Sequence, residues 1–302
     1  ALYVLAFLDR SNIGFAKETY QLDTGLSNEA YALGAGIFFV VYAFLGVPAN
    51  LLMRKFGARR WIGCTTLLWG VLSAAMAWAD TEAKFLLVRT LLGAAEAGFF
   101  PGMIYLTSQW FPQQNRASIM GLFYMGAPLA LTLGSPLSGA LLGTKVGFVA
   151  SVVTAIPWMA ALFGTWLIPR YSDRTGERRN IAALTLLAAA VGIAVSGLVA
   201  PVLAIIALCV AAVGVIAVQP VFWTMPTQLL SGTALAAGIG FVNLFGAIGG
   251  FLAPIVRVQA ETLFASSAAG LLTLAGVAIV GVVIIFSLSL TRAVPQRGSV
   301  QH

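Results

Sequence analysis

Long apolar runs, separated by short polar segments, set the pattern of this sequence. Nine runs reach the length of about 20 residues that a helix needs to cross a bilayer. They cover residues 31–52, 61–79, 85–110, 118–142, 146–168, 180–199, 201–229, 236–256 and 267–290. A tenth run, 1–16, is shorter and begins without a methionine, so we expect it to be the remainder of a longer helix. None alternates polar and apolar residues as a barrel strand does. The pattern predicts an all-α integral membrane protein with about ten transmembrane helices.

The composition excludes a soluble protein. Apolar residues make up 60% of the chain and charged residues only 9%, and the mean hydropathy is +0.94. A soluble domain carries about 25% charged residues. The only histidine is His302, and the two cysteines, Cys64 and Cys209, lie inside apolar runs. We therefore expect no metal site, no cofactor and no catalytic constellation.

The positive charges indicate the orientation in the membrane. Counted on alternate sides, one set of connections holds eleven lysines and arginines and the other set four. The richer side is expected to be cytoplasmic. Both termini then lie in the cytoplasm, as an even number of spans requires. The net charge of +7 thus indicates orientation rather than nucleic-acid binding.

The chain contains an internal repeat at an offset of about 119 residues. RKFGARR at 54–60 resembles DRTGERR at 173–179, and Gly126 recurs as Gly246. Coincidence among glycine-rich helices is the alternative. The repeat predicts two related halves of five helices in the same orientation, as in transporters built from parallel repeats.

Four ionisable residues lie within apolar runs. They are Asp9, Arg10, Arg89 and Glu96. Each costs about 2.5–3.5 kcal/mol near the centre of a membrane helix, so such residues usually face a cavity and pair. Arg89 and Glu96 are two helical turns apart and share one helix face. A guanidinium suits a carboxylate ligand, and a buried carboxyl group is suited to proton exchange. The four residues predict a site for an organic anion that moves with a proton.

Structural roles are the alternatives for these residues. Arg89 lies near a helix start, from which its side chain could extend to the membrane surface. Asp9 and Arg10 could instead form an interfacial ion pair, and Glu96 could make a purely structural contact.

The loop at 170–179 carries a second prediction. Asp173 is suited to cap a helix and to pair with arginines of neighbouring helices. We expect such contacts to latch the cytoplasmic mouth of the protein. The predicted latch consists of Gly57, Asp173, Arg174, Gly176 and Arg178. Simple anchoring by positive charge is the alternative for the arginines.

Several motifs resemble one family of transporters. RYSDRTGERR at 170–179, with its weaker copy at 54–60, is similar to the loop signature of the major facilitator superfamily. LDRSNIGFA at 8–16, WFPQQNRA at 110–117 and FWTMPTQ at 222–228 resemble its anion:cation symporter branch. The resemblance implies a two-bundle helical fold. It also implies proton-coupled uptake of a sugar acid, such as L-rhamnonate, by alternating access across the bacterial inner membrane.

The resemblance further implies roles for individual residues. Asp9 and Glu96 match the proton-coupling carboxylates of the branch, with the proton as coupling ion. The matching substrate-binding positions are Arg10, Tyr42, Arg89, Trp223 and Asn243. The residues alone favour packing roles for the tyrosine, tryptophan and asparagine. The implied partners are a small organic anion, a proton and the lipid bilayer, with a monomeric carrier.

The chain departs from the twelve helices of that family. SGALL at 138–142 is followed at once by GTKVGF, which resembles the start of the family's eighth helix. The resemblance therefore implies an internal deletion of the sixth and seventh helices, with five helices left on each side. We expect domains at 1–142 and 143–302. Since the deletion would open one wall of the cavity, a non-transporting scaffold remnant is one alternative function. A polytopic membrane enzyme is another.

Overall fold

The computed structural model describes residues 2–15, 17–141 and 145–288, and the predicted domain boundary at 142 lies outside the described residues. All secondary structure in the described ranges is helical. In chain order the α-helices are α1 (Leu2–Phe15), α2 (Lys17–Thr24), α3 (Asn28–Phe56), α4 (Ala58–Ala75), α5 (Glu82–Glu96), α6 (Phe99–Trp110), α7 (Arg116–Tyr124), α8 (Gly126–Leu141), α9 (Lys145–Thr175), α10 (Arg178–Ser196), α11 (Pro201–Thr224), α12 (Pro226–Leu229), α13 (Gly232–Leu263) and α14 (Ser267–Ser287).

Nine segments of the described chain are long and apolar enough to cross a membrane. They are Asn28–Phe56, Ala58–Trp78, Glu82–Trp110, Gln113–Leu137, Val149–Thr175, Arg178–Ser196, Pro201–Leu229, Gly232–Leu263 and Ser267–Ser287. Each corresponds to one of the nine predicted runs, so the prediction of an all-α membrane protein is confirmed. The shorter tenth run forms α1, whose 14 residues are fewer than a full span needs.

The ends of the long helices follow from local chemistry. The Ser27 hydroxyl accepts a hydrogen bond from the Ala30 amide at 3.1 Å, which satisfies one of the amides that the first turn of α3 leaves unpaired. At the other end of α3, Gly57 has a φ of +85°, and Gly176 after α9 has a φ of +71°. Residues with a Cβ atom rarely adopt such angles. The repeated loop therefore uses its glycine in the same way in both halves.

Three spans consist of two helices with a break between them. The breaks separate α5 from α6, α7 from α8, and α11 from α12. Interrupted backbone at membrane depth is tolerated where protein buries it or where it lines a cavity. Glu96 is the last residue of α5, so this carboxylate lies at one of the breaks.

The four spans of the first half meet the five spans of the second half along two lines. Helix α3 packs along α13, while α7 and α8 pack against α9, and α7 also contacts α11. The backbones approach closely at both lines. A Cβ atom added to Gly240 would lie 2.8 Å from the Val47 Cα atom, and one added to Gly121 would lie 2.7 Å from the Thr165 carbonyl oxygen. Such close approach through small residues is typical of membrane helices. The division into two domains stays a prediction.

Candidate functional site

Glu96 is a charged residue in the interior, with 2% of its surface exposed. Arg10 of α1 contacts it: the Arg10 Nη2 and Nε atoms lie 2.7 and 2.8 Å from Glu96 Oε2. The Arg10 side chain is 25% exposed, so the pair lies at the margin of the interior. A buried carboxylate without a cation beside it would be far more costly. The side chain of Asp9, the neighbour of Arg10, lies outside the described residues.

Arg89 lies two turns before Glu96 on the same helix, and it is buried, with 4% exposed. Its Nε atom donates a hydrogen bond to the Gly34 carbonyl of α3 at 3.2 Å. Its guanidinium carbon lies 4.6 Å from the centre of the Phe38 ring. The alternative in which Arg89 extends to the membrane surface is therefore wrong, because its partners hold the side chain between α3 and α5.

Two aromatic rings of α3 lie beside these two arginines. Tyr42 and Phe38 are stacked, with ring centres 6.0 Å apart and planes 19° apart, and both are buried. The Arg10 guanidinium carbon lies 4.8 Å from the Tyr42 ring centre and 5.4 Å from that of Phe38. The structure thus brings Arg10, Tyr42 and Glu96 together, and Phe38 connects Arg89 to them. Phe38 was not among the predicted residues, although it lies one turn before Tyr42.

The two predicted residues of the second half contact the first half. Trp223, near the end of α11, is 6% exposed and packs edge-to-face against Phe100 at 6.0 Å between ring centres. Phe100 lies one turn after Glu96, in the first turn of α6. Asn243 of α13 is buried, and its Nδ2 atom would lie 3.6 Å from a Cβ atom added to Gly46 of α3. Both residues therefore lie between the halves, Trp223 against α6 and Asn243 against α3.

The three described charged side chains of this site are two guanidiniums and one carboxylate. When the carboxylate is protonated, two positive charges face a buried, aromatic environment. Guanidiniums bind carboxylates through parallel hydrogen bonds, and buried electrostatic contacts are stronger than exposed ones. The arrangement is suited to bind an anion in competition with Glu96.

The predicted latch lies at the arginine-rich end, by which we mean the loops at 54–60, 111–116 and 170–179. Asp173 Oδ1 lies 2.5 Å from Arg178 Nη2. The same carboxylate accepts hydrogen bonds from the backbone amides of Ala117 at 3.3 Å and Ser118 at 2.6 Å. These amides belong to the first turn of α7, so Asp173 of the second half caps a helix of the first half.

Arg178 completes this contact. Only 6% of Arg178 is exposed, and its guanidinium also donates to Ser172 Oγ at 3.2 Å and to the Gln113 carbonyl at 3.0 Å. By contrast, Arg174 is exposed. Arg178 therefore does not serve simply as a positive charge at the membrane surface, because its guanidinium makes buried contacts within the protein.

A second connection at the arginine-rich end was missed from the sequence. The Arg116 guanidinium donates to the carbonyl groups of Phe111 at 3.0 Å and Ser108 at 2.7 Å in its own half. Its remaining nitrogen, Nη1, donates to the Thr227 carbonyl of the second half at 3.0 Å. In the sequence Arg116 counts only as one more positive charge, since backbone carbonyls leave no sequence signal.

Comparison with known proteins places this architecture in a family of membrane transporters. The profile of the Major Facilitator Superfamily matches residues 1–162. The chain is 63% identical over 407 aligned positions to "Inner membrane transport protein RhmT" of Escherichia coli (strain K12), in an alignment that covers all of this chain and 95% of the relative. It is 32% identical over 409 positions to a "Putative tartrate transporter" of Agrobacterium vitis, covering all of this chain and 91% of that relative.

The chain therefore belongs to the major facilitator superfamily, and the resemblance inferred from its motifs is confirmed. It is a membrane transport protein rather than an enzyme. It is also shorter than its relatives, because an alignment of 407 positions contains all of its 302 residues and nearly all of the relative. The additional residues of the relative thus lie mostly inside the aligned region.

Proposed function

We propose that the chain is a proton-coupled importer of a sugar acid such as L-rhamnonate. The observation that carries the proposal is the ion pair of Arg10 with the buried Glu96, close to Arg89 and two aromatic rings. A relative named as a putative tartrate transporter supports the substrate class, because tartrate, like a sugar acid, is a hydroxylated carboxylate. A named inner membrane relative supports a location in the bacterial inner membrane.

The ion pair supplies a mechanism for coupling. While Glu96 is ionised, it occupies two nitrogens of Arg10. When it takes up a proton, it loses its charge and releases the guanidinium, whose planar fork then binds the substrate carboxylate. Arg89 supplies the second positive charge, and Asp9 is a second proton acceptor in the proposal. Tyr42, Trp223 and Asn243 then contact the hydroxyl-bearing part of the substrate.

The latch supplies the gate for alternating access. We place the arginine-rich end and both termini in the cytoplasm. With Asp173 on Arg178 and on the first turn of α7, the halves 1–142 and 143–302 are tied at that end. Release of this contact would let the site open to the cytoplasm. Gly57 and Gly176 provide the turns of the two gating loops, and Arg174 lies at the exposed rim. We expect the carrier to be a monomer.

Uptake into proteoliposomes tests the proposal. With an acidic exterior, the parent chain is expected to accumulate labelled L-rhamnonate. Glu96→Gln should abolish the response to the pH gradient, and Arg89→Ala should reduce uptake about 30-fold or more, since loss of a buried charged partner costs at least about 2 kcal/mol. Lys84→Ala is the control, because Lys84 forms an exposed ion pair with Asp80. If both site variants concentrate L-rhamnonate as the parent does, the site assignment fails.

A non-transporting remnant is the second candidate function. The observation in its favour is the excess of aligned positions over residues of this chain. Inserting the additional residues of the 63% identical relative between 142 and 143 separates the two candidates. Uptake by the enlarged chain alone favours the remnant, whereas uptake by both chains favours the importer.

A further inference from the structure

The Phe38 ring contacts both arginines of the site. The guanidinium carbons of Arg10 and Arg89 lie 5.4 and 4.6 Å from its centre, within the range of a cation–π interaction. The two cations are therefore no more than about 10 Å apart. Like charges at that distance repel in a buried environment, so a group between them that attracts both changes their preferred geometry.

Two aromatic neighbours hold the Phe38 ring in place. Phe38 is 1% exposed, it stacks on Tyr42, and it meets Phe39 edge-to-face at 5.2 Å between ring centres. The backbone of Phe38 also lies close to α5, because a Cβ atom added to Gly93 would lie 2.5 Å from the Phe38 carbonyl oxygen. A ring held in this way has little freedom to move. The guanidiniums that it attracts are restricted as well.

The arginines come from different helices. Arg10 belongs to α1 and Arg89 to α5, while Phe38 belongs to α3. Arg10 has a carboxylate partner in Glu96, and that partner is lost when the carboxyl group is protonated. The attraction of the ring does not depend on the proton. Phe38 therefore still holds Arg10 when Glu96 has released it.

We propose that Phe38 is a positioning residue of the anion site, which holds Arg10 and Arg89 at a set distance so that one carboxylate substrate meets both. This rests on the proposed function. The negative face of the ring acts on the guanidiniums, and the substrate binds to the guanidiniums. Phe38 thus determines affinity through the arrangement of two charges and selects ligands by the distance between their acidic and polar groups.

Stepwise fluorination of Phe38 tests the electrostatic role apart from shape. One, two and three ring fluorines nearly preserve the volume but progressively weaken the attraction of the face for cations. Incorporated at position 38 of the full chain in lipid nanodiscs, they should raise the Kd for L-rhamnonate stepwise, to about tenfold for the trifluoro ring. The same substitutions at Phe44 are the control, since Phe44 lies on the same helix but is exposed. Phe38→Trp should bind better than Phe38→Leu, because tryptophan has the stronger cation–π face.

A second readout does not need the ligand. The thermal unfolding midpoint should also fall stepwise with fluorination at 38 and stay constant with fluorination at 44. Equal Kd values and equal midpoints along the series at 38 would overturn the proposal. If the parent chain does not bind L-rhamnonate, the proposed function fails for this ligand, while the midpoint series still decides whether the ring holds the arginines.

Discussion

The two arginine-rich loops have the same spacing but different surroundings. In the loop at 173–179, Asp173 and Arg178 are buried and connect the second half to α7. In the loop at 54–60, the corresponding positions are Arg54 and Arg59, and both are exposed. The glycine is equivalent in the two loops, because Gly57 and Gly176 both have a positive φ. The repeat has therefore kept the turn and changed the contacts.

Gly126 and Gly246, the second repeated feature, also have different surroundings in the two halves. Gly126 on α8 is buried under α1, and a Cβ atom there would lie 3.0 Å from the Tyr3 ring. Gly246 on α13 is exposed, and among the described residues no atom lies within 4 Å of such a Cβ atom. One half thus presents a covered glycine face and the other an open one.

These differences show what an internal repeat preserves. A glycine that ends a helix acts through its own backbone, so it works in either half. A carboxylate or a packed face acts through its partners, so it works only where the partner is present. The charges of the candidate site follow the same rule, since Arg10, Arg89 and Glu96 all belong to the first half, whereas the second half contributes Trp223 and Asn243.

The largest expected difference is between Asp173 and its counterpart Arg54. Asp173→Ala removes the partner of buried Arg178 and the cap of α7, which should lower the free energy of unfolding by about 3–5 kcal/mol. Arg54→Ala, at an exposed position, should change it by less than about 0.5 kcal/mol. Denaturation by SDS in mixed micelles measures both. Similar losses at the two positions would show that the loops are equivalent after all.

The next difference concerns the two glycine faces. Gly126→Leu forces a side chain against Tyr3 and should lower the free energy of unfolding by about 1–3 kcal/mol. At the exposed Gly246 an added Cβ atom meets no described atom within 4 Å, so Gly246→Leu should be neutral or raise that energy by up to about 1 kcal/mol through helix propensity. Both variants add the same side chain, so the difference between them in the same SDS titration reports the contact with α1. A lower free energy of unfolding for Gly246→Leu would mean that another part of the molecule covers this face of α13.

The spans were predictable because the membrane imposes a length and a composition on each of them. The run predicted at 61–79 is the span Ala58–Trp78, and the others agree similarly. The sequence also identified Asp173, since a carboxylate in a loop of arginines has an obvious electrostatic use. Its contact with α7 follows from packing that the repeat does not encode.

The interior of the site was predictable only in part. Arg89 and Glu96 stand out because ionised residues are rare in apolar runs. Their partners do not stand out. Glu96 pairs with Arg10, which is 86 residues away, and Phe38 lies in an apolar run where a phenylalanine is ordinarily a packing residue. Arg116 binds backbone carbonyls, which every residue carries. Contacts of this kind depend on how the helices pack against one another. The hydrophobic periodicity of the sequence does not specify that packing.

The smallest expected effect is the one that the halves should share. Gly57→Ala and Gly176→Ala place a Cβ atom on a residue with positive φ, and at both positions no described atom lies within 4 Å of it. Strain alone then lowers the free energy of unfolding, by about 1–2 kcal/mol in each variant. Gly63→Ala in α4 is the control, because that exposed helical glycine should gain up to about 1 kcal/mol. If only one loop glycine is sensitive, the turns differ in energy as well as in contacts, and the repeat preserves less than the backbone angles indicate.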